Sequence, residues 1–223
     1  MNKAVIVDGV RSPIGTKGSA LVGMRPDEIA GQVIKGLLDR NKNLDVNHIE
    51  DVFTRRGAES YLGEDVTLAQ HMLQAAQCAE KSGAEDSLIA AALLHDIGHF
   101  KNEIPETALA KGKNNYHEEA GANFLEDFFP NSVVEPIRQH VSAKRYLCAV
   151  KSDYFEHLSA ASVHSLNLQG GPMNEDEVRE FEKNDYLEQC LKLRYWDDDA
   201  KDPERVHPAF SYYRSLVESL VNY

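Results

Sequence analysis

The chain has 223 residues, of which 42% are hydrophobic and 27% charged, enough for one sizeable core or a core with an appendage. Its net charge of −12 excludes nucleic acid as the expected partner, since no basic stripe is present to displace counterions. No apolar run reaches the ~18 residues of a membrane span, and the N-terminus lacks a secretory signal pattern, so we predict a soluble cytoplasmic protein.

Residues 1–55 differ in pattern from the rest of the chain. Ala4–Asp8 is predicted to form a short strand, and a glycine-containing loop follows it. Pro26–Arg40 is predicted to be a helix, because proline suits a first helical turn and the acids after it suit the positive helix end. Ile49–Phe53 is predicted to be another short strand. We therefore expect a small α/β-like appendage here.

From residue 56 onward the pattern is helical, with apolar residues at helical spacing. The predicted helix Asp86–Phe100 is uncharged from Ser87 to Leu94, as expected for a central buried helix. The predicted helices are Asp65–Lys81, Asp86–Phe100, His117–Phe129, Val133–Leu147, Ser152–Asn167, Glu175–Lys183, Tyr186–Asp197 and Pro208–Val221. The fold class is therefore mainly α, a helical bundle over residues 56–223.

Residue types that bind metals recur along this helical part at nearly even intervals. The stations are His71, His95 with Asp96, His117, His140 and Asp197. The first three intervals are 24, 22 and 23 residues and the last is 57, and the even ones match one helix plus a short connection. Helices that each direct a histidine or carboxylate inward build dinuclear iron or manganese sites. The spacing therefore predicts a metal site.

The adjacent pair His95 and Asp96 follows an apolar helix, where an ionised carboxylate needs compensation. A bound metal cation would supply this compensating positive charge. A carboxylate has two oxygens, whereas a neutral imidazole offers one free nitrogen, so Asp96 is the expected bridging ligand. His99 lies one helical turn after His95. We expect it to support a ligand rather than to bind metal itself.

The stations His71, His95-Asp96 and Asp197 resemble the H…HD…D signature of the HD-domain superfamily, most of whose members are phosphohydrolases. Further motifs over residues 58 to about 215 resemble PhnZ-type oxygenases, which are mixed-valent diiron enzymes that cleave the C–P bond of 1-hydroxyphosphonates with O2. These motifs are Tyr61-Leu-Gly-Glu64, Leu94-His-Asp-Ile-Gly-His99, His140-Val-Ser-Ala-Lys-Arg-Tyr146, Leu168-Gln-Gly-Gly-Pro-Met173 and Leu191-Lys-Leu-Arg-Tyr-Trp-Asp197.

The resemblance implies two iron ions, an Fe(II)/Fe(III) pair, with O2 as co-substrate. It places one iron on His71, His95, Asp96 and Asp197, and the other on Asp96, His117 and His140. It implies that the phosphonate is held by Lys144, Ser162, Ser165, Gln169 and Arg194. The spacing agrees, because Lys144 lies four residues after His140 and Arg194 three before Asp197, each on the helical face of a ligand.

The resemblance also places Tyr61 and Glu64 on a loop over the substrate, and we expect Tyr61, Glu64, His99 and Lys144 to act in catalysis. A carboxylate at Glu64 would pair with a substrate ammonium. This favours (R)-2-amino-1-hydroxyethylphosphonate, converted to glycine and phosphate. The trimethylammonium analogue, giving glycine betaine, is the close rival, because quaternary ammonium groups prefer aromatic faces and tyrosines are at hand.

Two other functions stay open at this stage. An HD-type phosphohydrolase would cleave a phosphate ester or nucleotide with a metal-activated water. A non-catalytic binding or scaffold protein is the third interpretation, and the complete ligand set argues against it. The expected partner is a small organophosphonate, with no nucleic acid and no membrane, and the oligomeric state is left open, a monomer included.

Residues 1–53 resemble something else, the start of a thiolase, through Ala4-Val-Ile-Val-Asp-Gly-Val-Arg-Ser-Pro-Ile-Gly15 and the predicted helix that follows. The resemblance stops before the thiolase nucleophile. Because the later catalytic cysteine and histidine of thiolases have no counterpart, we predict no thiolase activity. The predicted domains are therefore residues 1–55, without catalytic residues, and residues 56–223, with the metal site.

Overall fold

The computed structural model describes residues 25, 29–33, 46–58, 61, 64–101, 114 and 116–222. The chain divides into two compact units, Met1–Leu44 and Asp45–Tyr223. In the first unit residues 29–33 are helical, within the helix predicted from residue 26 onward. The predicted strand Ala4–Asp8 and the remainder of that helix lie outside the described residues.

The second unit is helical, and none of its described residues forms a strand. A short 3₁₀ turn at Phe155–His157 lies between the sixth and seventh helices. The helices are α1 Val46–Arg56, α2 Leu68–Lys81, α3 Asp86–Leu94, α4 Gly98–Lys101, α5 His117–Leu125, α6 Asn131–Val150, α7 Ala160–Leu168, α8 Glu175–Phe181, α9 Leu187–Asp199 and α10 Phe210–Leu220.

Capping side chains explain where several of these helices begin. Thr67 accepts a hydrogen bond from the backbone N–H of Gln70, whose side chain in turn accepts from the N–H of Thr67. Asn174 and Glu177 form the same reciprocal arrangement at the start of α8. Each such capping box satisfies two backbone donors that a helix start leaves unpaired. The chain therefore enters α2, which carries the first predicted metal ligand, at a defined residue.

Helix α3 forms the centre of the bundle. Every residue from Leu88 to Leu94 is buried, and α3 packs against α2 and α6, while α9 packs against both of those helices. The predicted helix Asp86–Phe100 is wrong in one respect, because α3 ends at Leu94. The chain turns at His95–Ile97 before α4 begins, and this turn presents the His-Asp pair to the surrounding helices.

The predicted strand Ile49–Phe53 is wrong, because these residues belong to α1. Val46, Ile49 and Phe53 are buried, and their spacing of three and four residues is that of one helical face. Phe53 packs on Phe210 of α10 with ring centroids 4.9 Å apart. The packing of this apolar face thus selects a helix at the start of the second unit.

No helix among the described residues is both long enough and apolar enough to cross a membrane.

Candidate active site

The predicted metal ligands converge inside the bundle from different elements. His71 lies on α2, the His95-Asp96 pair in the turn after α3, His117 at the start of α5, His140 on α6 and Asp197 on α9, and all of them are buried. Two groups of three have ligand atoms within 4.8 Å of one another: His71, His95, Asp197 and Asp96, His99, His117. The protein therefore has two adjacent groups of side chains suited to a dinuclear metal site.

Asp96 lies between two pairs of histidines. Its Oδ2 atom is 3.5 Å from the Nε2 atoms of both His71 and His95. Its Oδ1 atom is 3.3 Å from Nε2 of His117 and 3.6 Å from Nε2 of His140. Each carboxylate oxygen thus faces a different histidine pair, which is the arrangement that a bridging carboxylate requires.

The histidine tautomers are set by backbone carbonyls. In His71, His95 and His140 the Nδ1 atom lies 2.7–2.9 Å from a carbonyl oxygen, which can only accept, so Nδ1 holds the proton. The Nε2 atoms are left with lone pairs directed inward. Between His71 and His95 these Nε2 atoms lie 3.0 Å apart. A cation placed among these nitrogens would relieve their mutual repulsion.

The ionisation states of these groups also suit metal binding. Burial lowers the pKa of His140 to about 4 and holds the pKa of His117 well below its usual value, so both rings are neutral. Burial acts to raise the pKa of Asp96, but the surrounding imidazoles, His95 first, hold it well below its usual range. Among the described residues, none donates a hydrogen bond to the buried oxygens Asp96 Oδ2 and Asp197 Oδ1. Deprotonated carboxylates and neutral imidazoles without a thiolate fit iron, manganese, zinc or cobalt.

His99 stands beside the second group of ligands. Its ring stacks on that of His117, with centroids 4.2 Å apart and planes inclined by 19°. Its Nε2 atom is 3.9 Å from Asp96 Oδ1, and burial lowers its pKa. The position agrees with a ring that supports its neighbours, and that supporting role stays a prediction.

A small cavity of about 30 Å³ adjoins the metal-ligand groups. Each residue predicted to contact substrate borders it, together with several residues that the sequence did not single out. The lining consists of Tyr61, Glu64, His117, His140, Val141, Lys144, Ala161, Ser162, Ser165, Gln169, Arg194, Asp197 and Lys201. The structure therefore brings the predicted substrate residues and the predicted metal ligands to one place.

Lys144 is a buried cation on the cavity wall, one helical turn after His140 on α6. Its ammonium donates a hydrogen bond to Ser165 Oγ at 2.8 Å. Burial, assisted by the positive charge of Arg194, lowers the pKa of Lys144 to about 7. Such a group gains from an anionic partner, because a buried ammonium without a counter-charge is costly.

Arg194 is held rigidly by its neighbours. Its Nη1 atom is 2.7 Å from Asp197 Oδ2, and its Nε atom donates to the Tyr154 hydroxyl at 3.0 Å. The Nε and Nη2 atoms also pair with the Asp198 carboxylate, and Tyr154 donates its hydroxyl proton to the same carboxylate. Asp198 follows Arg194 by four residues, a helical spacing that the sequence alone could have indicated.

Tyr61 and Glu64 lie on the side of the cavity formed by the chain before α2. The Tyr61 ring stacks on His71, with centroids 4.2 Å apart and planes inclined by 17°. Glu64 Oε1 accepts a hydrogen bond from Ser159 Oγ at 2.5 Å and lies 3.8 Å from Lys201 Nζ. Glu64 therefore faces the cavity as expected, but it already has partners within the protein.

Gln169 also lines the cavity and directly follows the last residue of α7. Its Oε1 atom is buried and accepts no hydrogen bond from any residue that the structure describes. A buried amide oxygen without a donor is costly. The position therefore suits a ligand that brings a donor group into the cavity.

Three comparisons place this chain among known proteins. The HD domain model matches residues 68–188. The chain is 48% identical over 182 residues to a [1-hydroxy-2-(trimethylamino)ethyl]phosphonate dioxygenase (glycine-betaine-forming) from Leisingera caerulea, covering 82% of this chain and 93% of that protein. It is 45% identical over 166 residues to a hydroxymethylphosphonate dioxygenase from Gimesia maris, covering 74% of this chain and 83% of the relative.

A different match concerns a short stretch. The chain is 45% identical over 65 residues to a beta-ketoadipyl-CoA thiolase from Escherichia coli, which is 29% of this chain and 16% of the thiolase. The resemblance to a thiolase fragment noted in the sequence is therefore confirmed as a similarity over a small part of that enzyme.

Proposed function

This chain belongs to the HD-domain family and is an oxygenase, and on that premise we propose that it cleaves the C–P bond of a 1-hydroxyphosphonate with O2 at a dinuclear iron site. The observation that carries the proposal is the shared cavity. Buried cations and hydroxyl groups line this cavity together with three of the predicted metal ligands, His117, His140 and Asp197. A small anion bound there would lie beside the residues that would hold the metals.

The predicted ligands provide enough donor atoms for two metal ions. His71, His95, Asp96 and Asp197 would hold one ion, and Asp96, His117 and His140 the other. Bound iron would supply the one-electron chemistry with O2 that side chains alone lack. Histidine and carboxylate ligands also bind other metals. The identity of the metal as iron is therefore part of the proposal.

The protein's own groups bind and orient the phosphonate. Lys144 and Arg194 provide positive charge on the cavity wall, and the Ser162 and Ser165 hydroxyls provide hydrogen bonds. The planar guanidinium of Arg194 suits a phosphonate's oxygens, and its pairs with Asp197 and Asp198 fix its plane. These groups would hold the C–P bond beside the metals and exclude water from the reacting carbon.

The first substrate to test is (R)-2-amino-1-hydroxyethylphosphonate, because Glu64 borders the cavity where a substrate ammonium would lie. The substrate and one O2 together contain the same atoms as the products, glycine and phosphate. The C–P bond breaks, the carbon is oxidised to a carboxylate, and both oxygen atoms of O2 appear in the products. The trimethylammonium analogue and hydroxymethylphosphonate are the rivals, since proteins named for those activities are similar to this chain.

The experiment compares the three phosphonates at equal concentration. Protein is loaded with iron without oxygen, mixed with each substrate, and then exposed to O2 while phosphate and the carbon product are measured. We expect phosphate from at least one substrate, with the matching glycine, glycine betaine or formate. Phosphate release in the absence of O2 would instead indicate a metal-dependent hydrolase.

We propose no thiolase chemistry for the N-terminal segment, residues 1–55. A thiolase requires a reactive thiolate, and thiolates form where the cysteine pKa is lowered. Residues 1–55 contain no cysteine, since the chain's three cysteines are Cys78, Cys148 and Cys190. Burial raises the pKa of Cys190 to about 12 and also raises the pKa values of Cys78 and Cys148. Incubation with acetoacetyl-CoA and free CoA should give no acetyl-CoA.

A further inference from the structure

Lys201 is a cavity residue that the sequence motifs did not point to. It follows α9, four residues after Asp197, and its side chain is 12% exposed. Its ammonium donates a hydrogen bond to Ser162 Oγ at 2.9 Å. The nearby carboxylates of Glu64 and Asp198 are 3.8 and 3.9 Å away. The closest partner is thus the neutral hydroxyl of Ser162, and both carboxylates lie near the outer limit of an ion pair.

The backbone on both sides of Lys201 is held by α2. The carbonyl oxygen of Ala200 lies 2.9 Å from Nδ1 of His71. Asp202 forms two hydrogen bonds with the buried Gln74 side chain, donating through its N–H at 3.2 Å and accepting through its carbonyl at 2.7 Å. A lysine whose flanking residues are fixed to a ligand-bearing helix is placed precisely, as a binding residue requires.

Lys201 shares its cavity with two other cations, Lys144 and Arg194. Burial first, then the charges of Arg194 and Lys201, lower the pKa of Lys144, while the Asp197 and Asp198 carboxylates act in the opposite direction. Like charges gathered around a partly buried space cost free energy. An anion bound between them removes this cost, and a phosphonate carries the charge and the oxygen atoms to do so.

We infer that Lys201 is a substrate-binding residue, the third cation that holds the phosphonate group together with Lys144 and Arg194. Glu64 and Ser162 orient its ammonium toward the cavity. The inference rests on the proposed function for the identity of the substrate, and on the geometry alone for the presence of an anion site. It also gives Glu64 a role within the protein, as the carboxylate that steadies Lys201.

Binding of inorganic phosphate tests the anion site without any turnover. Calorimetric titration of the metal-loaded protein compares the wild type with Lys201→Met, Lys201→Arg and Lys192→Met. Lys192 is a half-exposed lysine on α9 paired with Glu188, and it serves as the matched control. We expect Lys201→Met to weaken phosphate binding about 10- to 100-fold, the loss of one charge-assisted hydrogen bond. Lys201→Arg should recover part of the affinity, and Lys192→Met should bind as the wild type does.

Kinetics with the three phosphonates tests the contact with substrate. Because the phosphonate is common to all three, Lys201→Met should raise KM by a similar factor for each and change kcat little. A change confined to the two cationic substrates would place Lys201 beside the other end of the molecule and overturn the inference. So would unchanged phosphate affinity. If wild-type protein releases phosphate from none of the substrates, the proposed function fails, whereas the titration still decides the anion site.

Discussion

The Nε2 atoms of His71 and His95 lie 3.0 Å apart with no proton between them, because each ring holds its proton on Nδ1, next to a backbone carbonyl. Two lone pairs at this separation repel each other. The carbonyls of Ala200 and Ala92 thus hold the rings in the orientation that metal binding uses. The free-energy cost of this repulsion is offset when a cation binds between the rings. The two rings therefore already have the orientation that the ion needs before it binds.

Metal should therefore stabilise the folded protein. An ion at 100 times its dissociation constant adds about 2.7 kcal/mol, which corresponds to a rise in Tm of roughly 5–10 °C for a chain of this size. Thermal unfolding of chelator-treated protein, with and without added Fe(II), measures this shift. The variant His157→Ala, which alters an exposed histidine outside the cavity lining, should keep the full increase, and equal Tm values with and without metal would contradict the account.

Asp96 should control both metals, because its two oxygens face different histidine pairs. We expect about two metal ions per chain in the wild type, loss of both in Asp96→Asn, and loss of one in His140→Ala. Elemental analysis after dialysis provides the count. If Asp96→Asn retained two ions, the carboxylate would not be a bridge.

Lys144 should give the reaction a distinctive pH dependence. Its pKa of about 7 means that the cation is present below pH 7 and is lost as the pH rises above it. The value of kcat/KM should therefore fall above pH 7, since this parameter reports the free enzyme. Substrate ionisation contributes equally in all variants, so Lys144→Arg, which keeps its charge, isolates the effect. Its profile should decline less steeply, and identical profiles would exclude Lys144 as the titrating group.

Gly98 allows the close approach of α4 and α5. A Cβ atom at this position would lie 1.9 Å from the carbonyl oxygen of His117 and 2.7 Å from the backbone nitrogen of Gly121. Gly98→Ala must therefore displace the start of α5, and His117 with it. We expect a loss of about 1–3 kcal/mol or more in unfolding free energy, together with weakened binding of one metal. Gly31→Ala, at an exposed helical position where nothing lies within 4 Å, should leave metal binding unchanged and should not lower the unfolding free energy in parallel urea titrations.

The sequence alone indicated the bundle and its ligand positions for a physical reason. Burying histidine and aspartate inside apolar helices costs free energy unless a partner such as a metal ion compensates them. Their even spacing along the sequence was therefore informative. The strand predicted at Ile49–Phe53 failed because a short apolar segment fits either period, and the contact between Phe53 and Phe210 across the fold decides it.

The residues that support the site were harder to find. Asp198, Tyr154 and Lys201 act through contacts that arise once α9 and the chain around residue 154 pack beside each other, and Lys201 resembles any solvated lysine in the sequence. Gln74 was equally hard to identify from the sequence, because its buried side chain forms hydrogen bonds with the backbone of Asp202, which is distant along the chain. The spacing of four residues between Arg194 and Asp198, and between Asp197 and Lys201, was the available signal.

The most direct test of the central claim measures oxygen consumption and phosphate release together. Iron-loaded protein is mixed with the preferred phosphonate in an oxygen-electrode chamber, and phosphate is assayed in the same samples. The account predicts that one O2 disappears for each phosphate formed and that phosphate stops when O2 is exhausted. Phosphate that continues to accumulate without O2 consumption would contradict it.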